Sequence, residues 1–310
     1  MIDVTRRQAL AMAGLAFGIA GLTPVPGRGQ DVTVQHGQGE TRLPPAPSTV
    51  LVFDMAALDT LDALGVTVAG VPTGLKPGHL AKYDTPGYLK IGTLFEPDYE
   101  AVNAADPGLI IVGGRSAPKY AELSRIAPTI DLTTDPDAFL ESSIANAETL
   151  GRIFGKERAV TQRVDRLRRS IAELKTTAAG AGKGLLILTT GGRMSAYGPG
   201  SRFGVLHTEF GIRPAVENLK VANHGQAISF EFILETNPDW LFVIDRDSTI
   251  GREGEAARQL LDNDVVRRTT AWRKGQVVYL DGGNWYLVGG GLAALQRDVD
   301  DLKAALAKAL

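Results

Sequence analysis

Residues 98–112 read DYEAVNAADPGLIIV, and residues 229–243 read SFEFILETNPDWLFV, which aligns with the first stretch without a gap. Each copy begins with a residue type that commonly caps helices, Asp98 or Ser229, and carries a glutamate two positions later, where negative charge suits a helix start. Each copy then reaches a proline, which ends the helix, and an apolar run that predicts a buried strand. The repeat therefore predicts one helix–strand unit in each half of the chain.

The patterns around the repeat predict an α/β protein with two Rossmann-like lobes. From Thr49 onward, short apolar runs alternate with helical patterns, which is typical of a mainly parallel sheet. Between the two halves, apolar residues from Val160 to Leu174 recur at spacings of three and four, which predicts one long amphipathic helix. The strand candidates are Val50–Phe53, Thr67–Gly70, Leu109–Val112, Thr129–Leu132, Gly184–Leu188, Trp240–Ile244 and Val277–Leu280. We expect an N-terminal lobe at 48–155, a connecting helix at 156–180 and a C-terminal lobe at 181–310.

The first thirty residues predict an export signal. Paired arginines at 6 and 7 precede an apolar run from Ala9 to Leu22, which is too short to span a bilayer as a helix. A charged start before such a run is typical of export signals, and twin arginines indicate the route for folded proteins. The alternative is an amphipathic N-terminal helix, but the run has no polar face. Residues 31–47 are rich in polar residues, glycine and proline without periodicity, and we expect them to be a disordered leader.

Composition and charge exclude several classes of function. The chain has 310 residues, of which 44% are hydrophobic and 22% charged, so we expect folded globular domains. Thirty-three Lys and Arg against 35 Asp and Glu give a net charge of -2, which argues against a nucleic-acid partner. The chain has no cysteine, which excludes disulfides, zinc-thiolate sites and a lipid anchor attached through cysteine. We expect a soluble, monomeric, periplasmic protein that does not insert into the membrane.

Three arginines are candidates for binding an anionic ligand. Arg115 follows the strand of the first repeat copy by three residues, and Arg246 holds the same place after the second. Ligands of open parallel sheets bind beyond the carboxyl ends of the strands, so both arginines line one cleft if the lobes face one another. Arg202, in the glycine-rich loop 198–204, is the third candidate. The planar donors of arginine suit carboxylate, phosphate or catecholate oxygens, whereas the alternative for each arginine is a surface salt bridge.

Two further residues are candidates for contact with a metal ion. His224 lies in the polar loop 221–226, where a solvated histidine is the alternative. Tyr286 lies between glycines, and its phenolate would be a hard oxygen donor for Fe(III), although an aromatic packing role is the alternative. The enzyme motifs Gly-x-Ser-x-Gly and His-Glu-x-x-His and a dinucleotide-binding fingerprint are missing from the sequence. We therefore expect no enzymatic activity and no intrinsic cofactor.

In combination, these motifs resemble the periplasmic solute-binding proteins of ABC importers for ferric siderophores, in particular the CeuE-like binders of catecholate siderophores. The resemblance runs from about Thr49 to the C-terminus. It rests on IVGGR at 111–115, SAYGPGSRFG at 195–204, HGQAIS at 224–229, FVIDRD at 242–247 and WYL at 285–287. The family implies two α/β lobes joined by one long rigid helix, with the ligand in the cleft between the lobes.

The resemblance also implies a role for each candidate residue. Arg115, Arg202 and Arg246 are implied to hold the anionic catecholates. His224 and Tyr286 are implied to complete the coordination of Fe(III) when the siderophore fills only four of its positions. The Fe(III)–siderophore complex is then the transported ligand.

Two glutamates of the repeat are implied to dock the inner-membrane ABC permease. Glu100 and Glu231 would stand on the outer surface of the two lobes and enter basic pockets of the permease. Other cargoes on the same fold remain alternatives, namely haem, a hydroxamate siderophore or cobalamin. An exported α/β enzyme is the alternative from a different class.

Overall fold

The computed structural model describes residues 31–222, 224–252 and 256–308. The export signal expected at residues 1–30 lies outside these ranges. Within the described ranges, none of the helices combines the length and the apolar character needed to cross a bilayer.

The described residues form three sheets. The strands are β1 (Val32–His36), β2 (Gly39–Leu43), β3 (Val50–Val52), β4 (Gly70–Val71), β5 (Leu89–Lys90), β6 (Leu109–Val112), β7 (Thr129–Asp131), β8 (Lys183–Thr190), β9 (Arg193–Tyr197), β10 (Arg213–Pro214), β11 (Gln226–Ile228), β12 (Trp240–Asp245) and β13 (Val277–Tyr279). The N-terminal sheet has the order β5-β4-β3-β6-β7 and is parallel throughout. The C-terminal sheet has the order β11-β9-β8-β12-β13, with β10 beside β8. Its β8, β10, β12 and β13 are parallel, whereas β9 pairs antiparallel with β8, and β11 pairs antiparallel with β9.

Helices cover these sheets and connect them. They are α1 (Met55–Ala63), α2 (Tyr99–Ala104), α3 (Tyr120–Leu123), α4 (Phe139–Phe154), α5 (Glu157–Ala178), α6 (Val205–Thr208), α7 (Phe230–Thr236), α8 (Arg246–Thr249), α9 (Ala257–Leu261), α10 (Thr270–Arg273) and α11 (Leu292–Ala307). The long helix expected at 156–180 is α5, and its apolar stripe is buried. This stripe packs in one core with β8, β12 and α11. The α/β class and its two sheet-centred halves are thus as expected.

Both copies of the repeat fold as helix and strand. The side chain of Asp98 accepts a hydrogen bond from the backbone N–H of Ala101 and caps α2, and Ser229 does the same for α7. Asp106 and Asn237 hold the same place in the two copies and have φ of 45° and 43°. Aspartate and asparagine tolerate this left-handed conformation better than most residues. The chain therefore reverses from helix into β6 and β12 by the same turn.

The expectation of a disordered leader at residues 31–47 is wrong. These residues contain the antiparallel hairpin β1–β2, and the N-terminal lobe therefore begins before residue 48. Val34 and Leu43 are fully buried in the N-terminal core, and the hydroxyl of Thr41 donates to the carbonyl of Thr129 at 2.8 Å. Each strand of the hairpin buries few side chains, so its overall composition is polar and resembles that of a disordered segment.

The last helix ties the two halves of the protein together. The buried carboxylate of Asp59, in α1, accepts hydrogen bonds from the backbone N–H groups of Ala293 and Ala294 at 2.8 and 3.0 Å. It also accepts a hydrogen bond from Arg297 at 2.8 Å. Ala294 packs in the N-terminal core, whereas the rest of α11 packs on α5. The segment directly before α11 is therefore held close to the N-terminal sheet.

Candidate functional site

Tyr286 lies at the centre of the three candidate arginines. Arg115 and Arg202 each donate a hydrogen bond to its backbone carbonyl, at 2.7 and 2.8 Å. Arg246 Nε donates to the Tyr286 hydroxyl at 2.7 Å. The guanidinium carbons of Arg115, Arg202 and Arg246 lie 5.5, 4.5 and 5.4 Å from the centre of the tyrosine ring, within range of cation–π attraction. The structure thus brings four of the five expected ligand-binding residues into one cluster.

The ends of two parallel strands place Arg115 and Arg246 in this cluster. Arg115 follows β6 after two glycines, and Gly113 is needed because a Cβ there would lie 2.8 Å from the Asp54 carboxylate. Arg246 is the first residue of α8, which is capped by the side chain of Asp245. One arginine comes from each lobe, as expected from the rule that ligands bind beyond the carboxyl ends of the strands.

A tight turn carries Arg202, and an irregular helical turn carries Tyr286. Gly200 has φ of 74°, and the hydroxyl of Ser201 donates to the carbonyl of Gly198 at 2.6 Å, which closes the turn before Arg202. Residues Gly283–Val288 form a π-helical turn, a feature that is frequent at functional sites. Within this turn Trp285 is buried against Phe210, and the next residue, Tyr286, is partly buried at the edge of the same core, where its side chain meets the arginines.

The positive charge around Tyr286 changes its acidity. Burial raises the pKa of the phenol, but the hydrogen bond from Arg246 and the charges of the three arginines together outweigh it, so the pKa is lower than usual. Loss of hydration and the charge of Arg115 lower the pKa of Arg202, although part of its side chain reaches solvent. Of the three arginines, Arg246 alone forms an ion pair with a described residue, Asp247, at 3.8 Å. The cluster can therefore attract an anion and can present a phenolate.

His224 lies in a loop beside this cluster. The side chain is exposed, and within the described residues no hydrogen bond joins it to Tyr286. The next residue, Gly225, lies against the ring of Tyr197: a Cβ on Gly225 would be only 2.8 Å from the ring carbon Cζ. Burial raises the pKa of Tyr197, and the nearby charges of Arg202 and Arg246 oppose this shift. The loop of His224 therefore contacts Tyr197, whereas among the described residues His224 is outside the hydrogen-bond network of the arginines.

Glu100 and Glu231 hold equivalent places in the two lobes. Both are exposed, and both lie in the first turn of a helix, α2 and α7 respectively. Hydrogen bonds from its own backbone N–H and from Ser229 lower the pKa of Glu231. Each helix runs antiparallel to the strand that follows it, β6 or β12. The first turn of the helix therefore lies near the carboxyl end of that strand.

Two further residues, Thr190 and Asp54, lie close to the arginines and were not predicted from the sequence. Thr190, at the end of β8, accepts a hydrogen bond from Arg246 at 3.1 Å and donates one to Asp247 at 3.0 Å. Asp54 follows β3 and is partly buried, and loss of hydration raises its pKa to about 6, although its hydrogen bond from Ala57 and the charge of Arg115 oppose the shift. Both residues follow predicted strands, so the rule that identified the arginines could have identified them. Within the described residues, no group of three or more His, Asp or Glu side chains is arranged to hold a metal ion.

A family model described as "Periplasmic binding protein" matches residues 50–282, and the chain belongs to this family. The petrobactin-binding protein YclQ of Bacillus subtilis is 43% identical over 284 residues, which cover 90% of this chain and 89% of YclQ. The ferric-anguibactin-binding protein FatB of Vibrio anguillarum is 31% identical and covers 87% of this chain and 86% of FatB. The crystal structure of the periplasmic catecholate-siderophore binding protein VctP from Vibrio cholerae superposes with a TM-score of 0.84 at 35% identity, covering 89% of this chain and 100% of VctP.

Proposed function

We propose that this chain is a periplasmic receptor without enzymatic activity that captures a ferric catecholate siderophore and delivers it to an ABC importer. The observation that carries the proposal is the convergence of Arg115, Arg202 and Arg246 on Tyr286. Three guanidinium groups within one cluster suit a ligand that concentrates several negative oxygens at one point. The names of YclQ, FatB and VctP, which refer to petrobactin, anguibactin and catecholate siderophores, support the same ligand class.

The chemistry of Tyr286 supports an iron-bound cargo over the alternatives. A phenol whose pKa is lowered by arginines loses its proton more readily, and a phenolate is a hard oxygen donor that suits Fe(III). We propose that Tyr286 and His224 supply donors to the iron of a siderophore that leaves coordination positions open. A hydroxamate complex is less anionic and needs fewer arginines, and cobalamin makes no use of the phenolate.

Delivery to the importer is proposed to use Glu100 and Glu231. Both are exposed, and they are related by the repeat that relates the two lobes. A two-sided permease with one basic pocket on each side can therefore contact one glutamate from each lobe. This proposal assigns docking and ligand binding to different side chains, so variants can affect one without the other.

Binding of a coloured iron complex tests the proposal. The purified protein is mixed with a ferric catecholate and passed over a gel-filtration column, and the charge-transfer absorption of the complex should elute with the protein. Ferric hydroxamate, haem and cobalamin, run in the same way, test the alternative cargoes. Elution of the catecholate complex away from the protein would reject the proposed ligand.

Single alanine variants of the three arginines test the site. Each of Arg115→Ala, Arg202→Ala and Arg246→Ala should raise the Kd by about 10–150-fold, which corresponds to about 1.5–3 kcal/mol for a hydrogen bond to a charged group. Arg168→Ala is the matched control, because Arg168 lies on α5 and pairs with Glu141. Unchanged affinity in all three variants would remove the arginines from the binding site.

A further inference from the structure

Three large apolar side chains that remain exposed adjoin the chain segments that carry the three arginines. The large apolar side chains exposed in the described part of the chain are Leu75, Leu89, Phe95 and Val221, with 57%, 49%, 58% and 63% of their surface exposed. Single exposed apolar residues are common, but several that surround one site indicate a surface that binds something. Leu89 opens β5, whereas the other three follow strands or lie beside the loop of Arg202.

Leu75 extends from the N-terminal lobe to the segment that follows Arg246. It lies in the loop after β4, and a Cβ on Gly251 would be 2.6 Å from its Cδ1 atom. In the same loop, Pro77 lies against Gly283, three residues before Tyr286. The backbone N–H of Thr73 donates to the carbonyl of Gly92 at 2.7 Å, so the loop is held in this position. Leu75 therefore borders the cleft between Arg246 and the N-terminal lobe.

Phe95 lies in a turn that an ion pair joins to the segment following Arg115. It lies in the turn after β5, which is closed by a 2.8 Å hydrogen bond from the N–H of Thr93 to the carbonyl of Glu96. The carboxylate of Glu96 pairs with Lys119 at 2.9 Å, and Lys119 is four residues after Arg115. This ion pair fixes the turn of Phe95 to the segment that carries the arginine.

Val221 belongs to the C-terminal lobe and lies beside the turn that carries Arg202. Its Cγ2 atom would lie 3.8 Å from a Cβ on Gly200, in the turn that carries Arg202. Leu219, two residues earlier, lies against Gly198 of the same turn. Each of the three exposed apolar residues is thus associated with the segment of a different arginine, and both lobes contribute.

We infer that Leu75, Phe95 and Val221 form an apolar rim that contacts the hydrocarbon edges of the aromatic rings of the bound ferric catecholate. The inference rests on the proposed function. The arginines require a ligand with negative oxygens, and the rim adds the requirement that the ligand have apolar ring edges. In a ferric catecholate the oxygens face the metal, so the hydrocarbon edges of the rings point away from it. When the anionic centre lies on the arginines, those edges are directed outwards, where the rim would remove them from water. The rim therefore selects for a bulky aromatic complex over a compact polar iron chelate.

Serine variants of the rim separate its contribution from that of the arginines. Leu75→Ser, Phe95→Ser and Val221→Ser should each raise the Kd for a ferric bis-catecholate by about 5-fold, and the triple variant by about 100-fold. The salt dependence of binding should stay at the wild-type value, because no charge is lost, whereas arginine variants reduce it. The heat-capacity change of binding should become less negative, because less apolar surface is buried.

The control is Leu89→Ser, which removes an exposed leucine of similar accessibility from the start of β5, at the opposite end of the same sheet. Thermal unfolding of each variant checks that the fold is retained. If the arginine variants weaken binding but the rim variants bind as well as Leu89→Ser, the inference about the rim is wrong and the proposed function stands. If the rim variants keep full affinity for the ligand but lose cellular uptake, the inference is also wrong, and the rim contacts the permease instead. A wild-type protein that binds no ferric catecholate would reject both proposals.

Discussion

Replacing Tyr286 with phenylalanine removes one oxygen atom from the centre of the arginine cluster. Arg246 Nε donates to that oxygen at 2.7 Å, whereas Arg115 and Arg202 donate to the backbone carbonyl, which the variant keeps. The ring also remains, so the cation–π contacts of the three arginines are preserved. Tyr286→Phe therefore tests the phenolic oxygen without dismantling the site.

The size of the effect should depend on the number of donors in the siderophore. A tetradentate ligand leaves two positions of Fe(III) open, and loss of a charged oxygen donor there should cost about 1.5–3 kcal/mol, or about 10–150-fold in Kd. A hexadentate ligand fills every position and gains nothing from the phenolate. Arg246 loses its hydrogen bond to the phenol in both the free and the bound variant but keeps Thr190 and Asp247, so the Kd of the hexadentate complex should change by less than about 3-fold.

Two signals report this difference directly. Trp285 precedes Tyr286 and is buried, so quenching of its fluorescence by the iron complex measures the Kd. The visible spectrum of the tetradentate complex should also shift, because the phenolate-to-iron transition is lost. Tyr279→Phe is the matched control, since its ring is stacked by Arg258 at 3.9 Å and not by the three arginines of the cluster. Equal losses for the two ligands without a spectral shift would refute the proposed coordination, and His224→Ala should show the same selectivity if His224 supplies the second donor.

The remaining predictions concern docking and stability. Reversing the charge of Glu100 and Glu231 together should abolish uptake while leaving siderophore affinity unchanged; weaker binding in titrations would instead place them in the ligand site. Burial raises the pKa of Asp54 to about 6, so stability should fall as the pH rises from about 4 to about 6, by up to about 3 kcal/mol. Urea unfolding of Asp54→Asn should show less of this decline, because asparagine does not titrate, and its amide oxygen can keep the helix cap; an identical pH profile would contradict the assignment. Asp59→Ala should lower the free energy of unfolding by about 3 kcal/mol, because buried N–H groups and Arg297 lose their partner. Glu141→Ala, at an exposed ion pair, should cost less than about 1 kcal/mol, and equal losses would show that Asp59 does not join the lobes.

The parts of the fold that were predicted correctly depend on local signals. The caps at Asp98 and Ser229, the prolines and the apolar runs fix the repeat within a few residues of sequence, and these interactions recur in the structure. The position of Arg115 and Arg246 followed from the same repeat. The hairpin β1–β2 was missed because its stability comes from Val34 and Leu43 packing on a distant core. The strands β9 and β11 were also missed. The strand β9 forms a hairpin with β8 across Gly191 and Gly192, so a local turn signal was overlooked, whereas β11 pairs with the more distant β9.

The arrangement around Tyr286 could not be predicted from any local pattern, because it depends on contacts between distant parts of the chain. Glycines near Tyr286 indicated an exposed side chain, but not that two arginines donate to its backbone carbonyl. That geometry requires the π-helical turn to lie beside the N-terminal sheet. Asp59 holds it there by capping α11, which begins a few residues after the turn.

Asp59 thus connects the packing of the two lobes to the geometry of the site. Arg115 reaches Tyr286 from the other lobe, so we expect its hydrogen bond to depend on the contact of Asp59 with α11, which helps to hold the π-helical turn beside α1. The donors are therefore positioned before a ligand arrives, and less side-chain ordering is needed on binding. A variant that weakens the anchor, such as Asp59→Ala, should consequently reduce siderophore affinity as well as stability, although Asp59 is buried and is not part of the arginine cluster. Retained affinity in a folded Asp59→Ala protein would show that the arginines hold Tyr286 in place without the anchor.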